Sequence, residues 1–560
     1  MVGPSGELQN SENATQSYTV YKLRPCRRVD IRLYGASSKS ERLEKRQGSI
    51  SRNRRDEAAE RKNPVFKARR FCSMFKMRSR MSLPSDFLWG FATAAYQIEG
   101  GFDQDGRGPS IWDTFSKTPG KVADGKTGDV ACDSYNNVDQ DITLLKNLGA
   151  KVYRFSISWP RVIPLGGRDD PVNEAGIQHY VKFVQKLQEA GIAPMVTLYH
   201  WDLPDNLDKK YGGLLNKEEF SLDFERYARV MFEALPTVKH WITFNEPWCS
   251  AVLGYNVGLH APGRTSNRDV SPEGDSSTEC WTVGHSLLVA HGKAVKVYRD
   301  EFKPKNGGEI GITLNGDWAE PWDPEDPADV EACDRKIEFA ISWFADPVYF
   351  GHYPESMRKQ LGDRLPEFTP EEVELIKGSN DFYGMNHYTA NYIKHKEGEP
   401  EAADFLGNLE TGFYSKAGEN IGPETQSVWL RPSPIGFRKL LVWLSKRYGF
   451  PKIYVTENGT SEAKRGDGEA EPPFPEILED DFRCEYFRGY INAMKDAVVE
   501  DGVNVRIYTA WSLMDNFEWA EGYVTRFGVT YVDYDGGQKR HPKKSARVIG
   551  DLFTSLIKTA

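Results

Sequence analysis

The chain has 560 residues, 39% of them hydrophobic and 27% charged, with a net charge of −9; these values describe an ordinary soluble globular protein large enough for one big domain. The charge is unevenly spread: residues 1–80 hold 20 Lys and Arg against 8 Asp and Glu, and the remainder holds 52 against 73. An acidic body repels phosphate backbones, and no run of about 18 apolar residues exists to span a bilayer, so nucleic acid and membrane are both poor partners.

Residues 1–84 read as a basic, disordered N-terminal extension. They carry Arg27-Arg28, Arg52 to Arg55 and Arg69-Arg70, many Ser, and no sustained apolar periodicity. Three explanations stand: a transit peptide (against which its acidic residues count), a basic interaction tail, or an upstream extension of the reading frame, favoured because Met81 immediately precedes the first strand. Seven scattered cysteines without C-x-x-C spacing fit neither a disulfide framework nor a zinc cluster. Reduced thiols and the lack of an apolar leader point to a cytoplasmic protein, where Asn13-Ala14-Thr15 and Asn458-Gly459-Thr460 carry little weight as glycosylation sites.

From residue 85 onward, short β-rich apolar runs alternate with longer amphipathic stretches. Strands are expected at 87–97, 152–158, 193–201, 240–246, 309–315, 381–389, 452–458 and 505–515. Between them, 174–190 places Ile177, Tyr180, Val181, Val184 and Leu187 on one helical stripe that Gly191 ends; 223–235 and 437–448 behave similarly. Eight strands alternating with helices predict a (β/α)8 barrel, of the α/β class, filling residues 85–560 as one catalytic domain. An open doubly wound sheet would be expected to show a Gly-rich phosphate loop, and Gly90, Gly100 and Gly101 lack that spacing.

In such a barrel the reacting groups lie at the C-terminal ends of the strands. Those ends carry Gln97, Arg154, His200-Trp201, Asn245-Glu246, Asn315, Asn386-His387-Tyr388, Glu457-Asn458 and Trp511. A strand handing over to a turn ordinarily ends in Gly, Pro, Asp or Ser; eight polar or aromatic endings mark a site. Two of them bear a Glu. Glu246 on strand four and Glu457 on strand seven face each other across the mouth, as glycoside hydrolysis requires of its acid and its anion. A solvated loop carboxylate is the ordinary fate of a Glu, but both of these follow apolar strands.

The segments TFNEP at 243–247 and YVTENG at 454–459 resemble the two signatures of glycoside hydrolase family 1. FLWGFATAAYQIEG at 87–100, YRFSISWPR at 153–161, TLYHWDLP at 197–204, DFYGMNHYT at 381–389 and WSLMDNFEWAEGY at 511–523 extend the resemblance over about 85–560. Within the family the chain looks most like intracellular fungal β-glucosidases. The resemblance implies a retaining double displacement without cofactor or metal, with Glu457 as nucleophile and Glu246 as acid/base. It implies Arg154 and Tyr388 as supports of Glu457, Asn315 as a group orienting the acid/base region, and Gln97, His200, Asn245, Glu518 and Trp519 as the binders of the first sugar, over Trp511 as stacking floor. Glu518-Trp519-Ala520 disfavours a 6-phosphate, and Glu rather than Gln before Pro247 indicates O-glycosides that need protonation. The implied substrates are short β-glucosides such as cellobiose, cleaved from the non-reducing end. β-Galactoside or β-fucoside preference, transglycosylation and, remotely, an inactive sugar-binding protein stay open, as does the oligomeric state. Trp318 and Trp322 read equally as a second sugar site and as packing, and Cys249, three residues after Glu246, reads either as facing the cleft or, the favoured reading, as a packed core thiol.

Overall fold

A computed structural model of the chain describes residues 82–466 and 469–558. The basic extension, up to Met81, lies outside the described residues.

Eight parallel strands close into a barrel: β1 Leu88–Ala92, β2 Val152–Ser156, β3 Ala193–Tyr199, β4 His240–Asn245, β5 Glu309–Asn315, β6 Tyr383–Asn386, β7 Ile453–Glu457 and β8 Val505–Trp511. Each pairs with its neighbours in sequence, and β8 returns to pair with β1, which abolishes free edges. All eight expected strands are present, most of them shorter than the apolar runs that announced them. The largest difference is at the first. The run through Gln97 does not stay extended: the strand stops at Ala92, and Ala95–Ile98 turns into a short helix whose Ala95 N–H donates to Ser156 Oγ at 2.7 Å. Gln97 therefore reaches the mouth from a helix rather than from a strand end.

The outer helices follow the amphipathic signals. Helix Glu174–Glu189 buries Ile177, Tyr180, Val184 and Leu187, and Gly191 follows it at φ 75°. Helix Lys217–Ala234 starts six residues ahead of the expected position, because the Asn216 side chain caps it by accepting from Glu219 N–H. Helix Pro434–Arg447 opens on a proline, which needs no N–H partner in the first turn. After β5 and β6 the chain adds a small sheet of Trp318–Pro321, Ala390–His395 and Leu409–Gly412 that the strand pattern did not announce.

The barrel interior is layered. Near the strands' N-terminal ends, Val152, Met195, Ile242, Phe382, Tyr454 and Ile507 form an apolar floor separate from the outer core. Two residues further along the strands the layer turns polar, with Arg154, Thr197, Thr456 and Thr509. Arg154 Nε donates to Thr197 Oγ1 at 3.1 Å, and Thr509 Oγ1 donates to the Thr456 carbonyl at 2.7 Å. Beyond β8, the turn that leads to Glu518 is fastened by the buried Asp515, which accepts from Lys543 Nζ at 2.8 Å and from Arg526 Nη1 at 2.9 Å.

Candidate active site

Both strands that end in a glutamate shift register just before it, between Ile242 and Asn245 on β4 and between Val455 and Glu457 on β7. A bulge of this kind breaks the in/out alternation and re-aims the next side chain, here toward the mouth. Glu246 also sits at φ 45°, in the left-handed region, as do Trp201 at 76° and Trp519 at 50°. Non-glycine residues are costly there, so three strained positions at one mouth mark a site that the surrounding packing enforces. Gly459 has its own reason within YVTENG: an added Cβ would stand 1.8 Å from the Trp511 carbonyl oxygen. Asn458 closes the same corner, donating to the His387 carbonyl and to Tyr486 Oη and accepting from Tyr508 Oη.

The two carboxyls are nearly buried, with 7% of Glu246 and 3% of Glu457 exposed, yet they have unlike neighbours. Glu457 is held on both oxygens: Arg154 Nη1 bonds Oε1 as an ion pair, and the Tyr388 hydroxyl donates to Oε2 at 2.5 Å. Glu246 meets no cation. Its Oε1 accepts from Asn386 Nδ2 at 2.6 Å and its Oε2 from Cys249 Sγ at 3.0 Å. Burial pushes the proton affinity of Glu246 up, and the field of Glu457 adds to it. Burial raises Glu457 as well, but Arg154 and Tyr388 oppose it. One proton shared by this pair therefore rests on Glu246 while Glu457 stays ionised.

Around the pair the expected residues assemble. Arg154 Nη2 donates to Asn245 Oδ1 at 2.6 Å, and Asn245 Nδ2 bonds His200 Nε2 at 2.9 Å. Burial and the charge of Arg154 hold His200 well below its ordinary pKa, so its ring is neutral. With Nε2 accepting, Nδ1 carries the hydrogen, and it has no partner within the protein. Gln97 is anchored by Nε2, which donates to Asn516 Oδ1 and the Phe517 carbonyl, both at 2.9 Å, and its Oε1 is likewise unpartnered. The His200 ring stacks near Trp511 (5.8 Å, 22°) and Trp519 (5.9 Å, 18°). Burial keeps the Glu518 carboxyl well above the carboxylate range, with Glu521, Glu457 and Glu246 adding to it. The mouth thus sets fixed polar groups with spare hydrogen-bonding capacity beside flat aromatic faces.

Asn315, expected to orient the acid/base region, makes no hydrogen bond to Glu246 among the described residues: its Oδ1 has no partner there, and the amide that holds Glu246 belongs to Asn386 on the next strand. Asn386 stands in register with Asn315 on one side and Glu457 on the other. Cys249 is buried and packed in the core as expected, and its thiol also meets Glu246. Sequence reasoning also missed the wall behind Trp519, which Trp201 (4.5 Å) and Trp112 (4.7 Å) build with Tyr96. Trp201 lies inside a quoted motif, but nothing in the sequence signals Trp112. The two tryptophans read as a possible second sugar site already have protein partners: Trp318 Nε1 donates to Glu320, and Trp322 lies under Lys394 and Lys416. Among the described residues, no group of three His, Cys, Asp or Glu could hold a metal ion, and no helix is long and apolar enough to cross a membrane.

The same arrangement of sequence and fold occurs in known proteins. The family model described as glycosyl hydrolase family 1 matches residues 79–559. Beta-glucosidase 1B of Phanerodontia chrysosporium is 57% identical over 476 residues, covering 85% of this chain and 86% of that protein. The crystal structure of a family 1 β-glucosidase from Humicola insolens in complex with glucose superposes with a TM-score of 0.84 at 72% identity, covering 86% of this chain and all of that one. The β-glucosidase of Trichoderma harzianum gives 0.82 at 64% identity, over 86% and 99% of the two chains. With the paired strand-end glutamates, the polar pocket and the closed barrel all in place, the chain belongs to glycosyl hydrolase family 1.

Proposed function

We propose that the protein is a retaining β-glucosidase that removes terminal non-reducing β-D-glucosyl residues from short β-glucosides such as cellobiose. The observation that carries this reading is the unlike surroundings of the two carboxyls. Glu457, clasped by Arg154 and Tyr388, stays anionic and attacks the anomeric carbon. Glu246, free of cations, protonates the departing oxygen. Forming the ester removes the charge of Glu457, so the proton affinity of Glu246 falls and it now takes a proton from the incoming water.

Several groups suit a terminal, unphosphorylated glucose. Asn245, bonded to Arg154 and His200, lies beside the nucleophile, where it meets the 2-hydroxyl. His200 Nδ1–H, Gln97 Oε1 and Glu518 offer one donor, one acceptor and a carboxyl to the remaining hydroxyls. The buried stack of Trp519 on Trp201 and Trp112 walls the pocket, so a chain end fits better than a chain middle. The β-glucosidase names of the relatives support the same substrate class. The five described cysteines are unpaired, which suits the reducing cytoplasm that completes this reading.

A panel of aryl β-glucoside, β-galactoside, β-fucoside and cellobiose, with the first-formed anomer followed by proton NMR, tests it. The expected result is a higher kcat/KM for the glucoside than for the galactoside, hydrolysis of cellobiose, and β-glucose appearing first. Faster galactoside cleavage would overturn the substrate, and α-glucose appearing first would overturn the retaining mechanism.

A further inference from the structure

Glu246 has a neighbour to which the double displacement gives no task. Cys249 opens the π-helical turn Cys249–Leu253, three residues beyond the glutamate. Its backbone N–H donates to the Glu246 carbonyl at 2.9 Å, and the left-handed backbone of Glu246 folds the carboxyl back over that turn. The thiol is 8% exposed and meets Oε2 at 3.0 Å.

The opposite oxygen of Glu246 is already committed. Asn386 Oδ1 accepts from Thr456 Oγ1 at 2.7 Å, which fixes the amide with its Nδ2 toward Asn245 Oδ1 and Glu246 Oε1. An amide N–H can only donate, so Oε1 is an acceptor whether Glu246 is charged or neutral. A carboxylic acid carries its proton on one oxygen. That oxygen is Oε2, the one beside sulfur.

We infer that Cys249 is a positioning residue for the transferable proton of Glu246: its sulfur accepts from Oε2–H while Glu246 is the acid, and its S–H donates to Oε2 once Glu246 is the base. The inference rests on the reading of Glu246 as acid/base. In the first step the proton leaves Oε2 for the glycosidic oxygen, which takes the electron pair of the breaking bond to the anomeric carbon. The thiol hydrogen then rotates about Cβ–Sγ to face the new carboxylate. In the second step water gives its proton to Oε2 as its oxygen bonds the anomeric carbon and the ester bond to Glu457 breaks. The thiol hydrogen turns away again, and sulfur remains a thiol throughout. A thiol is weak in both roles, so it holds the proton in place without competing for it. Burial, with the charges of Glu246, Glu457 and Asp317 adding to it, keeps Cys249 far above the ordinary thiol range. The charged and titratable groups around the two side chains are Glu457 on β7, Arg154 on β2, Tyr388 after β6, Asp317 after β5 and Glu518 after β8, with Tyr199 on β3 and His260 across the small cavity that Cys249 lines; burial keeps His260 neutral and the Tyr199 phenol protonated.

The test uses the full chain with Cys249→Ala, Cys249→Val and Cys249→Ser, each assayed on aryl β-glucosides of graded leaving-group acidity. In the Ala and Val variants kcat/KM should fall by about tenfold on phenyl glucoside and by less than about twofold on 2,4-dinitrophenyl glucoside, whose departure needs no proton. Both forms of Glu246 lose a partner, but the bond to the carboxylate is charge-assisted and the stronger of the two, so the alkaline limb of kcat/KM should also move upward by about half a pH unit, and serine should bring it back to or below the parent position. An equal loss on every leaving group, or an unmoved limb in whichever variants fold, overturns the assignment. Glu246→Gln run in parallel separates the two readings. Should it keep full rate on poor leaving groups, the acid/base assignment falls and Cys249 with it; should it lose that rate while the Cys249 variants stay flat, only Cys249 falls.

Discussion

The two ends of the barrel are made by the same eight strands and obey opposite rules. The floor is apolar and buried: Val152, Met195, Ile242, Phe382, Tyr454 and Ile507 fill the cross-section. The mouth has two register shifts, three non-glycine residues at positive φ, two buried carboxyls within each other's field, and buried polar atoms without partners. Each of those features costs stability; the floor has a single register shift, between Ile453 and Tyr454, and no non-glycine residue at positive φ. The difference teaches that a site is recognised by what it violates: rules broken together, at one end, by residues able to do chemistry.

Substitutions at the mouth should separate activity from stability. The largest effect is expected for Glu457→Ala, a loss of about ten-thousand-fold or more in kcat with a melting temperature close to the parent's, partly restored by azide. Substantial residual hydrolysis that azide does not raise would make another group the nucleophile. Glu246→Gln should cost about a thousandfold on phenyl glucoside and far less on 2,4-dinitrophenyl glucoside, and it should abolish the alkaline limb of the pH profile. That limb comes from deprotonation of a carboxyl whose affinity is raised, so activity is lost as pH rises through the raised value. Equal losses on both substrates would remove Glu246 from the acid role. At the floor, Ile242→Ala should do the reverse: about 2–5 kcal/mol of stability lost in denaturant titration, with kcat within a few-fold of the parent at a temperature where both are folded. A floor variant that kept its stability but lost its activity would undo the contrast.

The floor was the more legible end. Short apolar, β-rich runs between amphipathic stretches located all eight strands, because strands buried on both faces read as continuous apolar runs. The nearness of Glu246 and Glu457 at the mouth was legible too, since both follow apolar strands and sit in recognisable motifs. Asn386 and Cys249 were not, for a reason that lies in the backbone. The bulges lie on the two glutamate strands and set which neighbouring amide each carboxyl meets; Asn315 and Asn386 stand in register on the two strands between them, and only Asn386 reaches Glu246. The turn that brings Cys249 under its own glutamate depends on a left-handed φ that no sequence period records. Gln97 was placed correctly at the mouth and wrongly on a strand, because the apolar run continues past the point where Ser156 caps a new helix.

The hydrogen bond from Gln97 to Asn516 joins residues 419 positions apart, and β1 becomes a full barrel strand only when β8 pairs with it. One side of the mouth is thus made from the short helix after the first strand and the loop after the last. A chain emerging from the ribosome holds both glutamate strands long before it holds the pocket's second wall. Long-range closure of this kind comes late in folding. The mouth is therefore complete only when the final segment closes it, after both glutamates are already on their strands.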